Sequence, residues 1–223
     1  MLEMTHAPLT VKCFEFGPFG TNTYVVSFSL PAEEGRGEVL VLLIDPACSN
    51  EYERQLLYDY INSLPCGEGR GGVTILATHG HLDHLWGAPW ACEQWHTPVL
   101  MHPADIPMAQ DMQAQYDLFG IRATPQPFPI EPLDISSPLW GGRVGLLTSP
   151  GHTPGSICLY CEQEKLLFSG DTLFRMGYGR TDLPGGDINQ LIHSLQTLFA
   201  LPPDTRVFPG HGDFTTIGAE KRS

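Results

Sequence analysis

Val73-Thr74-Ile75-Leu76-Ala77-Thr78-His79-Gly80-His81-Leu82-Asp83-His84 decides the reading of the chain. Its first five residues are apolar or β-branched and follow a glycine, the pattern of a buried strand. Three imidazoles and a carboxylate then fall between positions 79 and 84. The cluster therefore lies on the loop leaving a strand's C-terminal end, where open α/β sheets place their ligands. His79 and His81 are two residues apart, so an extended turn aims both at one point. Asp83 and His84 follow after the chain bends and address a second point nearby. Imidazole with carboxylate is a donor set for zinc, iron or manganese.

Further candidate ligands recur in the second half in one repeated local pattern. Gly151-His152-Thr153-Pro154-Gly155 follows the apolar run from Val144 to Thr148. Ser169-Gly170-Asp171-Thr172 follows Leu166 to Phe168, and Pro209-Gly210-His211-Gly212 follows Arg206 to Phe208. Each lone His or Asp leaves a strand-like run and is flanked by glycine or proline, the residues of tight turns.

This ordered set resembles the metallo-β-lactamase superfamily in its dinuclear hydrolase form. The resemblance spans nearly the full chain. Ser169-Gly170-Asp171-Thr172-Leu173-Phe174 and Gly179-Arg180-Thr181-Asp182-Leu183-Pro184-Gly185-Gly186-Asp187 most resemble the small glyoxalase II-like (hydroxyacylglutathione hydrolase-like) proteins. The fold this implies is an α/β four-layer αβ/βα sandwich, two mixed β-sheets flanked by helices. It also implies two divalent metal ions, zinc first, with iron or manganese as the other choices. By the same resemblance His79, His81 and His152 hold one metal, Asp83, His84 and His211 hold the other, and Asp171 bridges them. A hydroxide shared by the metals is then the nucleophile, Asp83 orients it, and an acyl thioester such as S-lactoylglutathione is the substrate. A thiolate leaves without a proton, which suits a site with no evident general acid, and the chain carries no Gly-x-Ser-x-Gly elbow.

At the positions where glyoxalase II enzymes grip glutathione, this chain has Arg180 and Asp182. Arg180 is either a fork for a substrate carboxylate or one half of a loop clamp with Asp182. The chain also ends soon after His211, where the larger glyoxalase II enzymes continue into a helical domain, so a different thioester or a small ester is open. Another reaction class shares the motifs. Persulfide dioxygenases resemble the His cluster and Gly177-Tyr178-Gly179-Arg180-Thr181-Asp182, and use one iron, here on His79, His152 and Asp171. Leu183-Pro184-Gly185-Gly186-Asp187 favours the hydrolase. Lactone or β-lactam hydrolysis is a third reading on the same metal chemistry.

Composition narrows the partners. Twelve Lys and Arg stand against 25 Asp and Glu in 223 residues, a net charge of -13. Such a surface repels phosphate backbones and argues against nucleic acid. No apolar stretch approaches the ~18–20 residues of a membrane span, so no membrane partner is expected. The first twenty residues lack a basic start with an apolar run, and the six cysteines show no disulfide spacing, which together point to the cytoplasm. Cys158-x-x-Cys161 lies in a strand-like run where residues three apart face opposite sides, the pattern of two structural thiols.

In chain order, Lys12–Phe16 and Tyr24–Phe28 predict a hairpin. Val39–Ile44 predicts a strand ending in Asp45-Pro46. That aspartate either supports the metal ligands by resemblance or simply opens a turn. Ser49 is the expected cap of a helix to about Leu64, with Tyr52, Leu56, Leu57, Tyr60 and Ile61 on its apolar face. Leu85–Trp95 predicts one helix. Ile106–Pro132 predicts a Met- and Gln-rich helix followed by an irregular proline-rich segment, with Met108, Met112, Tyr116, Leu118 and Phe119 either in the core or on a pocket wall. Ile188–Ala200 predicts a helix burying Leu191, Ile192, Leu195, Leu198 and Phe199. His6, His96, His102 and His193 read as structural. One domain over residues 1–223 is expected, since no linker divides the chain.

Overall fold

The computed structural model describes residues 9–29, 39–64 and 72–221. His6 and Cys66 lie outside them. The chain opens with β1 (Leu9–Phe16), β2 (Thr21–Ser29) and β3 (Val39–Ile44) as antiparallel neighbours. Helix α1 (Glu51–Ser63) leads to β4 (Val73–Leu76). Then come α2 (Leu82–Leu85), α3 (Ala88–Trp95), β5 (Val99–Met101), α4 (Ile106–Gln110), α5 (Met112–Leu118) and β6 (Ile130–Pro132). β3, β4, β5 and β6 run parallel, completing a six-stranded mixed sheet in the order β1-β2-β3-β4-β5-β6.

The second half supplies β7 (Gly145–Thr148), β8 (Ile157–Cys161), β9 (Leu166–Gly170), the ribbon β10 (Leu173–Phe174) and β11 (Gly177–Tyr178), α6 (Ile188–Leu198), β12 (Arg206–Pro209), β13 (Thr215–Thr216) and α7 (Ile217–Glu220). Its five-stranded sheet has the order β13-β12-β9-β8-β7, with β9 and β12 parallel.

Side-chain alternation assigns the layers. In β3, Val41 and Leu43 pack under α1 to α4, whereas Leu42 and Ile44 face the second sheet. In β8, Leu159 and Cys161 enter the inter-sheet core with Phe168 and Phe208, whereas Cys158 packs with Leu191 and Leu198 of α6. Helix, sheet, sheet and helix thus stack in four layers, the expected sandwich. Cys158 and Cys161 are both fully buried, in different cores.

Several local expectations are corrected. The cap of α1 is Asn50, whose Oδ1 accepts from Glu53 N; Ser49 instead binds the Glu53 carboxylate through its N–H and hydroxyl. Tyr52 and Leu56 face solvent, leaving Leu57 and Ile61 as the buried pair. The single helix expected at 85–95 is two. Gly87 N turns out of the helix to donate to Pro46 O at 2.7 Å, and a Cβ there would meet Cys48 Sγ at 2.3 Å. The Met- and Gln-rich helix is also two, broken at Asp111, which caps α5 through Ala114 N. Ile192 on α6 is 47% exposed, off the buried stripe. The segment after His211 contributes a strand and a helix.

Candidate metal centre

The parallel pairs place the ligand loops at one edge. Asp45 leaves β3 and His79 leaves β4, adjacent parallel strands. Asp171 leaves β9 and His211 leaves β12, which are likewise parallel. The two sheets are joined there directly. Asn22 N donates to Gly210 O at 2.7 Å, Asn22 Nδ2 donates to Pro209 O, and Ile157 N donates to Thr78 O at 2.9 Å. Both sets of strand ends therefore face a common point.

All seven expected side chains meet at that point. His79 Nε2 lies 3.1 Å from His81 Nδ1, which lies 2.9 Å from His152 Nε2. His84 Nε2 lies 3.3 Å from His211 Nε2, and Asp83 Oδ2 lies 3.1 Å from the latter. Asp171 sits between: Oδ1 is 3.3 Å from His84 Nε2, while Oδ2 is 3.5 Å from His152 Nε2 and 3.6 Å from His211 Nε2. Three overlapping groups could hold an ion, with ligand atoms within 4.8 Å of one another: His79, His81 and His152; His79, His84 and Asp171; Asp83, His84 and His211. Nitrogens and carboxylate oxygens crowded this closely fit cations between them. Asp171 Oδ1 is buried and has no hydrogen-bond partner among the described residues, as an oxygen reserved for a cation would. A Cβ at Gly210 would sit 2.1 Å from that oxygen, so glycine is required where β12 passes the site.

The outer nitrogens fix the tautomers. Asp45 Oδ1 accepts from Thr78 N, and its Oδ2 accepts from the Thr78 hydroxyl and from His84 Nδ1, all at 2.7–2.9 Å. Because the Thr78 hydroxyl donates to Asp45, it accepts from His79 Nδ1 at 3.0 Å. Both imidazoles then carry the proton on Nδ1 and turn a bare Nε2 inward. His152 Nδ1 donates to Arg180 O at 2.7 Å, and His211 Nδ1 faces Gly20 O at 3.3 Å. Of the two readings of Asp45, the geometry has the supporting one.

Electrostatics divides the site. Burial, helped by neighbouring imidazoles, lowers the pKa of His79 and brings that of His81 to about 4. Burial opposes charge on His84 too, but Asp171, Asp83 and Asp45 outweigh it and hold its pKa well above the ordinary value. For His211 burial is likewise outweighed, by Asp83 and Asp171, and its pKa is raised. Burial works against the carboxylates of Asp83 and Asp171, yet the imidazoles, His84 foremost, keep both below their usual range.

A cavity of about 430 Å³ opens over the cluster, lined by Phe19, Asp83, His152, Asp171, Phe174, Tyr178, Arg180, Leu183 and His211. Arg180 forms a two-pronged pair with Asp182, both bonds 2.6 Å long. That is the clamp geometry, at the cavity rim. His102 caps the turn after β5 by accepting from Ala104 N, and His96 ends α3 in a left-handed conformation, both structural. Two supporting residues escaped the sequence reading. Asp105, fully buried, accepts from Gly80 N, Thr153 Oγ1 and Gly155 N, and so ties the His79–His84 loop to the His152 turn. Thr21 Oγ1 donates to Asp83 Oδ2 at 3.1 Å. Neither sits in a motif, and only the folded chain brings them near.

The family model described as Metallo-beta-lactamase superfamily matches residues 16–211. The chain belongs to that superfamily. It is 36% identical over 154 residues to hydroxyacylglutathione hydrolase GloC of Haemophilus influenzae, covering 67% of this chain and 73% of the relative. Among solved structures, TTHA1623 in a di-iron-bound form shares 36% identity at a TM-score of 0.77, covering 95% of this chain and 97% of that one. The BLEG-1 B3 metallo-beta-lactamase shares 30% identity at a TM-score of 0.78, covering 96% and 97%. No helix among the described residues is long and apolar enough to cross a membrane.

Proposed function

We propose that this chain is a metal-dependent hydrolase of acyl thioesters, with two divalent cations at the strand-end cluster. The observation that carries the reading is the placement of Asp171 between two ligand triads, with Oδ2 near His152 of one and His211 of the other and Oδ1 near His84. His79, His81 and His152 would hold one cation, Asp83, His84 and His211 the other, and Asp171 both. So held, the cations supply Lewis-acid activation of a carbonyl and of water. The di-iron form of a relative supports iron beside zinc and manganese as the ion, and the relative named a hydroxyacylglutathione hydrolase supports thioester hydrolysis.

The chain's own groups do the rest. Asp83 stays charged at neutral pH, and its Oδ2 is fixed by Thr21, so it can orient a water by accepting a hydrogen bond. Water adds its oxygen to the acyl carbon, the C–S bond breaks, and the sulfur takes the electron pair and leaves as thiolate. A carboxylate and two protons are the other products. Phe19, Phe174 and Leu183 wall the cavity with apolar surface, so water screens a charge that develops on a bound carbonyl less than it would in the open.

Elemental analysis of protein purified without added metal, followed by an S-lactoylglutathione assay, tests this. About two metal ions per chain and hydrolysis that disappears in Asp171→Ala are expected. About one iron per chain, with oxygen uptake on glutathione persulfide and no thioester turnover, would replace the hydrolase by the dioxygenase.

A further inference from the structure

We propose that a second cleft beside the metal centre receives an apolar limb of the substrate, a deduction that rests on the thioester reading. The cleft, about 360 Å³, shares His81, Phe119 and Leu183 with the cavity above the metal cluster, so the two adjoin. One wall is Met108 of α4 with Ala114 and Leu118 of α5. The opposite wall is the loop Leu183-Pro184-Gly185. Leu118 and Phe119 are 56% and 41% exposed, large apolar side chains left facing solvent at its mouth.

Charge narrows the occupant. Among the described residues no lysine or arginine lines this cleft, and the one carboxylate that does, Asp111, caps α5. Arg180 lines the central cavity, but both prongs of its fork are taken by Asp182. A charged limb would lose its hydration here and find no counter-ion, whereas an alkyl limb loses nothing. The wall is also held in register with the metal ligands. Gln115 Oε1 accepts from Leu82 N, and its Nε2 donates to Gly80 O and Met108 O. One buried amide thus grips the backbone on either side of His81 and fixes α5 and α4 to it, as a subsite that aligns a reacting bond requires.

The limb belongs either to the acyl group or to the thiol, and two substrate series separate these sources. In one, the acyl chain of N-acetylcysteamine thioesters grows from acetyl to hexanoyl. In the other, acetyl thioesters of simple alkanethiols grow from ethyl to hexyl. In one series kcat/KM is expected to climb by up to about fourfold per buried methylene, and to exceed the value for S-lactoylglutathione, whose limb is charged. Ala114→Trp fills the cleft from a solvent-facing position on α5, and is expected to cut the long-to-short preference about tenfold or more. Leu118→Asp, at an exposed position, is expected to do the same through charge. Binding of the inert thioether N-acetyl-S-hexylcysteamine, against its S-methyl counterpart, is measured by calorimetry in parallel. Chain-length-dependent binding that Ala114→Trp removes supports the cleft even if no thioester is turned over, which would sink the hydrolase reading alone. Flat profiles in both series together with equal binding of the two thioethers, or a preference that both variants leave intact, overturn the cleft assignment.

Discussion

Asp45 holds the protons of two ligands in place, one directly and one through Thr78, although its side chain never faces the cavity. Asp45→Asn keeps the shape but brings an NH₂ against donors it cannot accept from. His84 is then freed to protonate Nε2, which removes its inward lone pair. Metal affinity at the Asp83, His84 and His211 group is expected to fall about 10–100-fold. Competition with a chromogenic chelator measures it, and unchanged affinity would return Asp45 to a turn-forming role. At this scale the ligands were legible because histidines and aspartates at strand ends, hedged by glycine, have few structural uses. The meaning of Asp45 was half legible, since Asp-Pro also opens turns. Asp105 and Gln115 were illegible, because each works by gripping backbone remote in sequence, and backbone partners leave no trace in residue type.

Between elements, Asp105 joins the turn after β5 to the loops after β4 and β7 with three hydrogen bonds from buried donors. Asp105→Asn removes the charge and one acceptor, stranding Gly80 N, Gly155 N or Thr153 Oγ1. A loss of about 1–3 kcal/mol in unfolding free energy is expected, read from urea midpoints, with a drop in kcat as His152 loosens relative to His81. Equal midpoints with normal kcat would mean water replaces the bond. The strands were legible to within a few residues because alternation and β-branching are local signals. The broken helices were not: Gly87 bends the chain through contacts with Pro46 and Cys48, which no window around residue 87 contains. Strand alternation also settles Cys158-x-x-Cys161. Burial pushes the two thiols up to about 11 and about 12, and they lie in separate cores. Native protein is expected to leave both unalkylated by iodoacetamide at about pH 8, with labelling only after denaturant is added. Mass spectrometry checks this, and rapid native labelling of either would contradict the packing.

Across the whole molecule, two sheets bring two unlike ligand groups to one edge, and the difference predicts how metal leaves as acid is added. His79 and His81 come from the parallel strand β4, buried among other imidazoles, and burial already keeps them neutral, His81 down to about pH 4. A cation there displaces few protons. His84 and His211 face Asp83 and Asp171, whose charge raises the pKa of both imidazoles, so protons compete with a cation for those sites. A cation at that group must displace them, and its affinity falls as pH falls. Below the raised values protons win at His84 and His211, while His79 and His81, whose pKa values are lowered, oppose protonation, His81 until the pH nears 4. Protein loaded with zinc and desalted at decreasing pH is expected to carry about two ions at pH 8 and about one near pH 5.5, before losing the last. Calorimetry should find proton release tied to the second ion bound and not the first. Loss of both ions in one step, or loss from the His79 group first as judged by Asp83→Asn carrying the same ion, would show that the carboxylates do not divide the site. The division depends on Asp83 and Asp171 reaching His84 and His211 across the sheet interface, so it is a property of the sandwich and of no single motif.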